Sequence, residues 1–173
     1  VYAAPRVPSS SDGKESTSPV TAEVWAEHSM LVQEPQYALA LRGGVTAFHV
    51  LPGSANLIGG RRVTLKNLQR NTINSMKFPN APHSLKMACG ENPKRVYGNR
   101  KQAPSTRMGN VAGYRKSWIK AESYVRKQTE YEEKSDQAKE LEYAPQRDLE
   151  MDTLAGVLKG EILVHNHCYR ADE

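Results

Sequence analysis

Cysteine is scarce in this sequence. Only Cys89 and Cys168 occur among 173 residues. They make no C-x-x-C spacing and are too few for a disulfide framework, so zinc-ribbon and disulfide-stapled folds are excluded. Read singly, each is a small packed residue. Aromatics are also few, at 7%, and hydrophobic residues reach 38%. That is lean for a globular domain, yet richer than the compositions that stay disordered. No run of 18 apolar residues occurs, so no transmembrane helix is encoded and no membrane partner is expected. No basic–apolar–small pattern opens the sequence, and no signal peptide is expected within it. Sustained heptads, a Gly-x-y period and internal repeats are missing, which excludes coiled-coil, collagen-like and solenoid readings. An acidic excess is missing too: 24 Lys+Arg against 19 Asp+Glu give a net charge of +5.

What is present fits one domain. It reads in four stretches: a loop-rich segment at 1–36, strands and helices over 37–125, a charged insertion at 126–147, and a helix followed by a histidine-bearing strand at 148–173. In the first, Ser9-Ser10-Ser11-Asp12-Gly13 signals a turn. Thr21-Ala22-Glu23-Val24-Trp25 opens a short helix, with Thr21 as its N-cap. Residues 36–43 read as a helix ended by Gly43-Gly44. Val45–Leu51 is a nearly continuous apolar, β-rich run, hence a buried strand. It stops at Pro52-Gly53-Ser54-Ala55-Asn56, and a loop containing Gly59-Gly60 leads to a strand at 62–66. Residues 84–90 make another short apolar strand with Lys86 inside it.

Beyond Pro104, Val111, Tyr114, Trp118, Ala121 and Val125 recur at helical spacing and define one face. Trp118 should pack inward, with Arg115, Lys116 and Lys120 outside. Tyr124–Glu142 has mixed charge and no apolar stripe, so it extends that helix in solvent or forms an insertion. Residues 148–159 form a helix closed by Gly160, and a strand begins at Ile162. Buried strands alternating with helices make an α/β rhythm. Strands 45–51, 85–89 and 162–167 are expected to be parallel neighbours covered by helices.

Three features carry chemistry. His165-Asn166-His167 closes an apolar strand, and strand C-termini collect function in parallel α/β folds. Alternation sends both imidazoles to one face, where they would ligate a metal or simply hydrogen-bond. Lys86 lies in an apolar run, which is costly for a charged amine. It is either an edge-strand lysine at the surface or a lysine whose pKa is lowered, one able to take up carbon dioxide as a carbamate. Finally, Lys94, Arg95, Arg100, Lys101, Arg107, Arg115, Lys116 and Lys120 crowd a span without acids. Such a patch meets phosphates, grips a carboxylate or is merely solvated. No nucleic-acid motif accompanies it, so nucleic acid is not the expected partner. The glycine-containing loop after residue 51 lacks the Lys-Ser/Thr ending of a phosphate-binding loop.

Several long blocks occur together in order: Gly43-Gly-Val-Thr-Ala, Leu51-Pro-Gly-Ser-Ala-Asn-Leu-Ile-Gly-Gly60, Leu85-Lys-Met-Ala-Cys-Gly-Glu-Asn-Pro-Lys-Arg-Val-Tyr-Gly98, Pro104-Ser-Thr-Arg-Met-Gly109 and Val164-His-Asn-His-Cys-Tyr-Arg-Ala-Asp172. In them the chain resembles the bacterial metal-dependent amidohydrolases related to imidazolonepropionase. The resemblance implies a (β/α)₈ TIM-type barrel with parallel strands and covering helices. It also implies one or two divalent metals, usually zinc, at the C-terminal mouth, and attack of activated water on an amide, dipeptide or cyclic imide. On it, His165 matches the fifth-strand metal ligand and Lys86 the fourth-strand position. His167 faces the substrate, Arg170 binds it, and Asp172 orients the histidines.

The first-strand His-x-His of that family does not precede residue 45, and its later His and Asp ligands find no counterpart here. The chain is also about two-thirds of the roughly 250 residues of a full barrel. An incomplete barrel, a central piece of a longer bacterial protein in cytoplasm or periplasm, is therefore expected, inactive by itself. The alternatives are a non-catalytic module that self-associates, as a homo-oligomer or scaffold, and a basic binder of an anionic polymer.

Overall fold

A computed structural model describes residues 11–173. Of the serine-rich turn, Ser9 and Ser10 lie outside the described residues. Among the described residues five strands and six α-helices form: β1 (Ala47–Val50), β2 (Ile58–Arg61), β3 (Val63–Lys66), β4 (His83–Ala88) and β5 (Ile162–His167), with α1 (Gln36–Arg42), α2 (Ile73–Met76), α3 (Glu91–Gly98), α4 (Arg107–Glu132), α5 (Asp136–Glu140) and α6 (Leu149–Leu158).

The central sheet has the order β2-β4-β5. The β4–β5 pair is parallel and in register from His83 opposite Ile162 to Ala88 opposite His167. Helices α3 to α6 form the crossover that parallel strands require. β2 runs antiparallel along the other side of β4, with a register shift between Ile58 and Gly60. The sheet is thus mixed, and the strands do not close into a barrel; the α/β expectation holds at the level of a parallel pair with covering helices.

Strand 45–51 departs from expectation. Its core, β1, pairs antiparallel with β3 in a separate two-stranded sheet, Phe48 opposite Leu65 and His49 opposite Thr64. Burial explains this. Phe48 and Val50 pack against a small core of Ala26, Tyr37, Val63, Leu65 and Met76, while Ala47 and His49 are exposed. The strand is covered on one face only, as antiparallel strands commonly are.

The larger core holds one face of the central sheet to α4 and α6. Leu85 and Met87 of β4, Ile58 of β2 and Ile162 of β5 meet Ala121 of α4 and Met151 and Leu154 of α6. Trp118 packs against this core, and Arg115, Lys116 and Lys120 are exposed, as the periodicity requires. Val111 does not join it and is 57% exposed. Asn110, Ser117 and Ala121 are the buried positions of α4, so the inner face lies slightly to one side of the apolar stripe. Caps fix both helices: Thr106 Oγ1 accepts from Gly109 N at 3.0 Å, and Asp148 accepts from Met151 N at 3.1 Å.

The insertion resolves into the end of α4 and the short α5. Thr21 does not cap a helix. Its amide donates to Ile58 O at 2.9 Å, Val20 and Trp25 bridge to Ile58 and Arg61, and the helical turn comes later, as 3₁₀ over Ala26–Ser29. The segment lies along the free edge of β2, whose backbone groups need partners.

Candidate functional site

Parallel in-register pairing brings Lys86 of β4 opposite His165 of β5. Residues alternate across a strand. Leu85, Met87 and Ile162 face the helices, so Lys86, His165 and His167 share the other face. Register therefore joins two residues that are far apart in sequence.

Lys86 is half-buried, and its Nζ donates to Ser54 Oγ at 2.8 Å. Desolvation pushes its ammonium pKa down. Ser54 belongs to the loop after β1, which several bonds hold. Asn56 Nδ2 donates to Thr21 Oγ1 at 2.8 Å, Tyr97 OH donates to Asn56 Oδ1 at 2.9 Å, and Gly53 N donates to Gly13 O at 2.9 Å. The Pro52–Asn56 loop, which the sequence marks only by its turn residues, thus supplies the lysine's partner.

His165 is exposed, and its ring stands edge-on to that of His49, with centroids 5.0 Å apart and planes 60° apart. His49 is a site residue that sequence reasoning missed. It sits inside the strand run Val45–Leu51, and only the packing of β1 near β5 reveals its neighbour. Its Nδ1 is hydrogen-bonded to an Arg62 guanidinium nitrogen. Arg62 also donates to Thr64 Oγ1 at 2.8 Å and Pro82 O at 3.1 Å. Burial, then the positive charge of Arg62, then His165 push the His49 pKa down.

The remaining sequence candidates lie further out. His167 packs its ring against Tyr169, centroids 4.8 Å apart. Arg170 and Asp172 do not turn toward the histidines: Arg170 grips Asp172 with bonds of 2.7 and 2.9 Å, and Arg107 adds a third at 3.1 Å. Hydrogen bonds from Arg170 above all hold the Asp172 carboxyl far below the usual carboxylate range. The expected roles of Asp172 as histidine anchor and of Arg170 as a free substrate group are not seen in this arrangement.

Cys89 and Cys168, expected as separate packed residues, are disulfide-linked. They directly follow β4 and β5, and the register that pairs the strands brings their Cα atoms to 5.2 Å. Within the basic span, Arg107 is tied to Asp172, and Arg100 donates to Ser16 O. Part of that charge therefore holds chain segments together.

As a metal site this face is half built. Among the described residues, no three His, Cys, Asp or Glu side chains are gathered to hold an ion. What the register places side by side is a histidine and a lysine whose burial favours the neutral amine. A carbamate formed on that amine would be a carboxylate, and an oxygen–nitrogen donor pair of this kind suits zinc. With that carbamate the residues present would offer such an ion two of the three protein ligands usual in a catalytic site.

No protein-family model matches the chain. Amidohydrolase tasK of Hapsidospora irregularis is 33% identical to it over 177 residues, a match that takes in 94% of this chain and 18% of that protein. The crystal structure of an amidohydrolase from Thermotoga maritima MSB8 superposes with a TM-score of 0.84 at 39% identity, over 93% of this chain and 40% of the other. The chain is similar to two amidohydrolases. Both likenesses run through nearly all of it. The chain spans well under half the length of either relative.

Proposed function

We propose that this chain contributes part of the active site of a hydrolase that cleaves a C–N bond by metal-activated water, in a small amide, dipeptide or cyclic imide. Kinship with imidazolonepropionase-related enzymes belongs to the same proposal. The observation that carries it is the placement of Lys86 beside His165 on the face of the sheet opposite the helices. Both named relatives are amidohydrolases, which supports the hydrolytic reading.

In this reading the desolvated Lys86 amine adds to carbon dioxide. An N–C bond forms, one proton leaves to solvent, and a carbamate results. Ser54, hydrogen-bonded to Nζ, orients the amine for that step. His165 presents a ring nitrogen beside the new carboxylate. A divalent cation held there, zinc being the natural choice for these donors, would polarise the scissile carbonyl and lower the pKa of its water. His167 stands two residues further along the same face, where it would meet substrate, with Arg170 beyond it.

The test is isotopic. ¹³C-bicarbonate should give the protein one carbamate resonance that Lys86→Ala removes. Metal content should fall in both Lys86→Ala and His165→Ala, and remain largely intact in His167→Ala. A missing carbamate together with full metal occupancy in His165→Ala would overturn the assignment.

A further inference from the structure

We propose that Arg62 and His49 form a positioning pair that fixes the orientation of the His165 ring. The proposal builds on the reading of His165 as a metal-site residue. It starts from an expensive feature. Arg62 is only 8% exposed, and its hydrogen bonds go to neutral groups. Its Nε is buried without a hydrogen-bond partner among the described residues. A buried cation without a carboxylate partner costs stability, so a role beyond packing is to be sought.

The bond to His49 supplies that role. A guanidinium has only donors, so His49 Nδ1 must accept, and the proton of the neutral ring lies on Nε2. Arg62 is itself clamped, by Thr64 Oγ1, by Pro82 O and by its backbone amide, which donates to Ser84 O at 3.0 Å. His49 is thus anchored at one nitrogen to an immobile group, although its strand face is exposed. Its ring then stands against His165 at 5.0 Å.

His165 is exposed on β5 and would otherwise sample several rotamers. An imidazole already held in place loses less freedom when it binds an ion. His49 is not a ligand in this arrangement, because Nδ1 is occupied and Nε2 carries the proton. It acts through His165.

Three measurements on the full protein test this. Long-range ¹H–¹⁵N spectra should show His49 as the Nε2–H tautomer, shifting to a mixture in Arg62→Gln. A nuclear Overhauser effect between the His49 and His165 rings should be present and should vanish in Arg62→Gln. Zinc titration should show affinity weakened by roughly tenfold or more in His49→Leu, the scale usual for groups that orient a ligand. His49→Gln, whose amide oxygen still accepts from Arg62 but which brings no ring to His165, should remain weakened, and full affinity in it would show that His49 only satisfies Arg62. His49 is exposed, so its variants keep the fold even where Arg62→Gln does not. An Nδ1–H tautomer, an Overhauser effect that survives Arg62→Gln, or unchanged zinc affinity in His49→Leu would each overturn the proposal. A protein that shows the tautomer and the ring contact but binds no zinc would overturn the metal reading and leave the positioning pair standing.

Discussion

Tyr97 shows how much a single side chain organises here. It is fully buried, and its one hydroxyl proton lies within reach of both Asn56 Oδ1 and Ser18 O, joining α3 to the loop that carries Ser54 and to the N-terminal segment. Removing the hydroxyl leaves those acceptors short of a donor, at a cost of about 1–3 kcal/mol. Burial also pushes the phenol up to about 12, against an unfolded value near 10. The folded state keeps its proton while the unfolded chain releases it, so this contribution is whole below about pH 10 and is lost as pH rises toward 12. Urea unfolding should find Tyr97→Phe less stable than the parent at pH 8, with the gap narrowing above pH 10. A gap that widens with pH would show the sign to be wrong. Lys86 and His165 were legible in the sequence because a lysine and histidines in apolar strands are chemically conspicuous. His49 and Arg62 were not, because their link to His165 exists only through packing between distant segments.

Among the elements, β4 and β5 were legible from their apolar runs and α6 from its Gly160 stop. β2 was not. Its Gly59-Gly60 reads as loop, yet Gly60, at φ +107°, lets the strand bulge against β4, and a Cβ there would lie 2.5 Å from Val24 O and Val24 Cγ2. α3 was hidden by Pro93, which lies in the first turn, where a missing amide hydrogen costs nothing. The pairing of β1 was misread because an apolar run does not say which of its faces is covered. The contact of α6 with β5 can be tested at Gly156, where a Cβ would lie 2.6 Å from Ile162 Cδ1 and 3.0 Å from its Cγ1. Alanine gains up to about 1 kcal/mol of helix propensity, but forcing Ile162 aside in the core costs about 1–3 kcal/mol. Thermal unfolding should therefore show Gly156→Ala destabilised, and a raised melting temperature would mean that the contact relaxes freely.

At the scale of the molecule, the described residues include no helix long and apolar enough to cross a membrane. One face of the sheet is covered by helices, and the other presents Lys86 and His165. β5 forms an edge of the central sheet, with Leu163 50% and Val164 43% exposed. The donor count bears directly on activity. A catalytic zinc centre usually needs three protein ligands, whereas the proposed set among the described residues would hold two, His165 and a carbamylated Lys86. His49 does not add a third while Arg62 holds its Nδ1. The 173-residue chain alone, supplied with zinc and bicarbonate, should therefore bind metal weakly. It should hydrolyse small amides, dipeptides and cyclic imides no faster than its His165→Ala variant. Direct rate assays of the two purified chains decide this. Turnover in the parent that disappears in His165→Ala would show that the ligand set is already sufficient, with His49 released from Arg62 as the first place to look for the third donor.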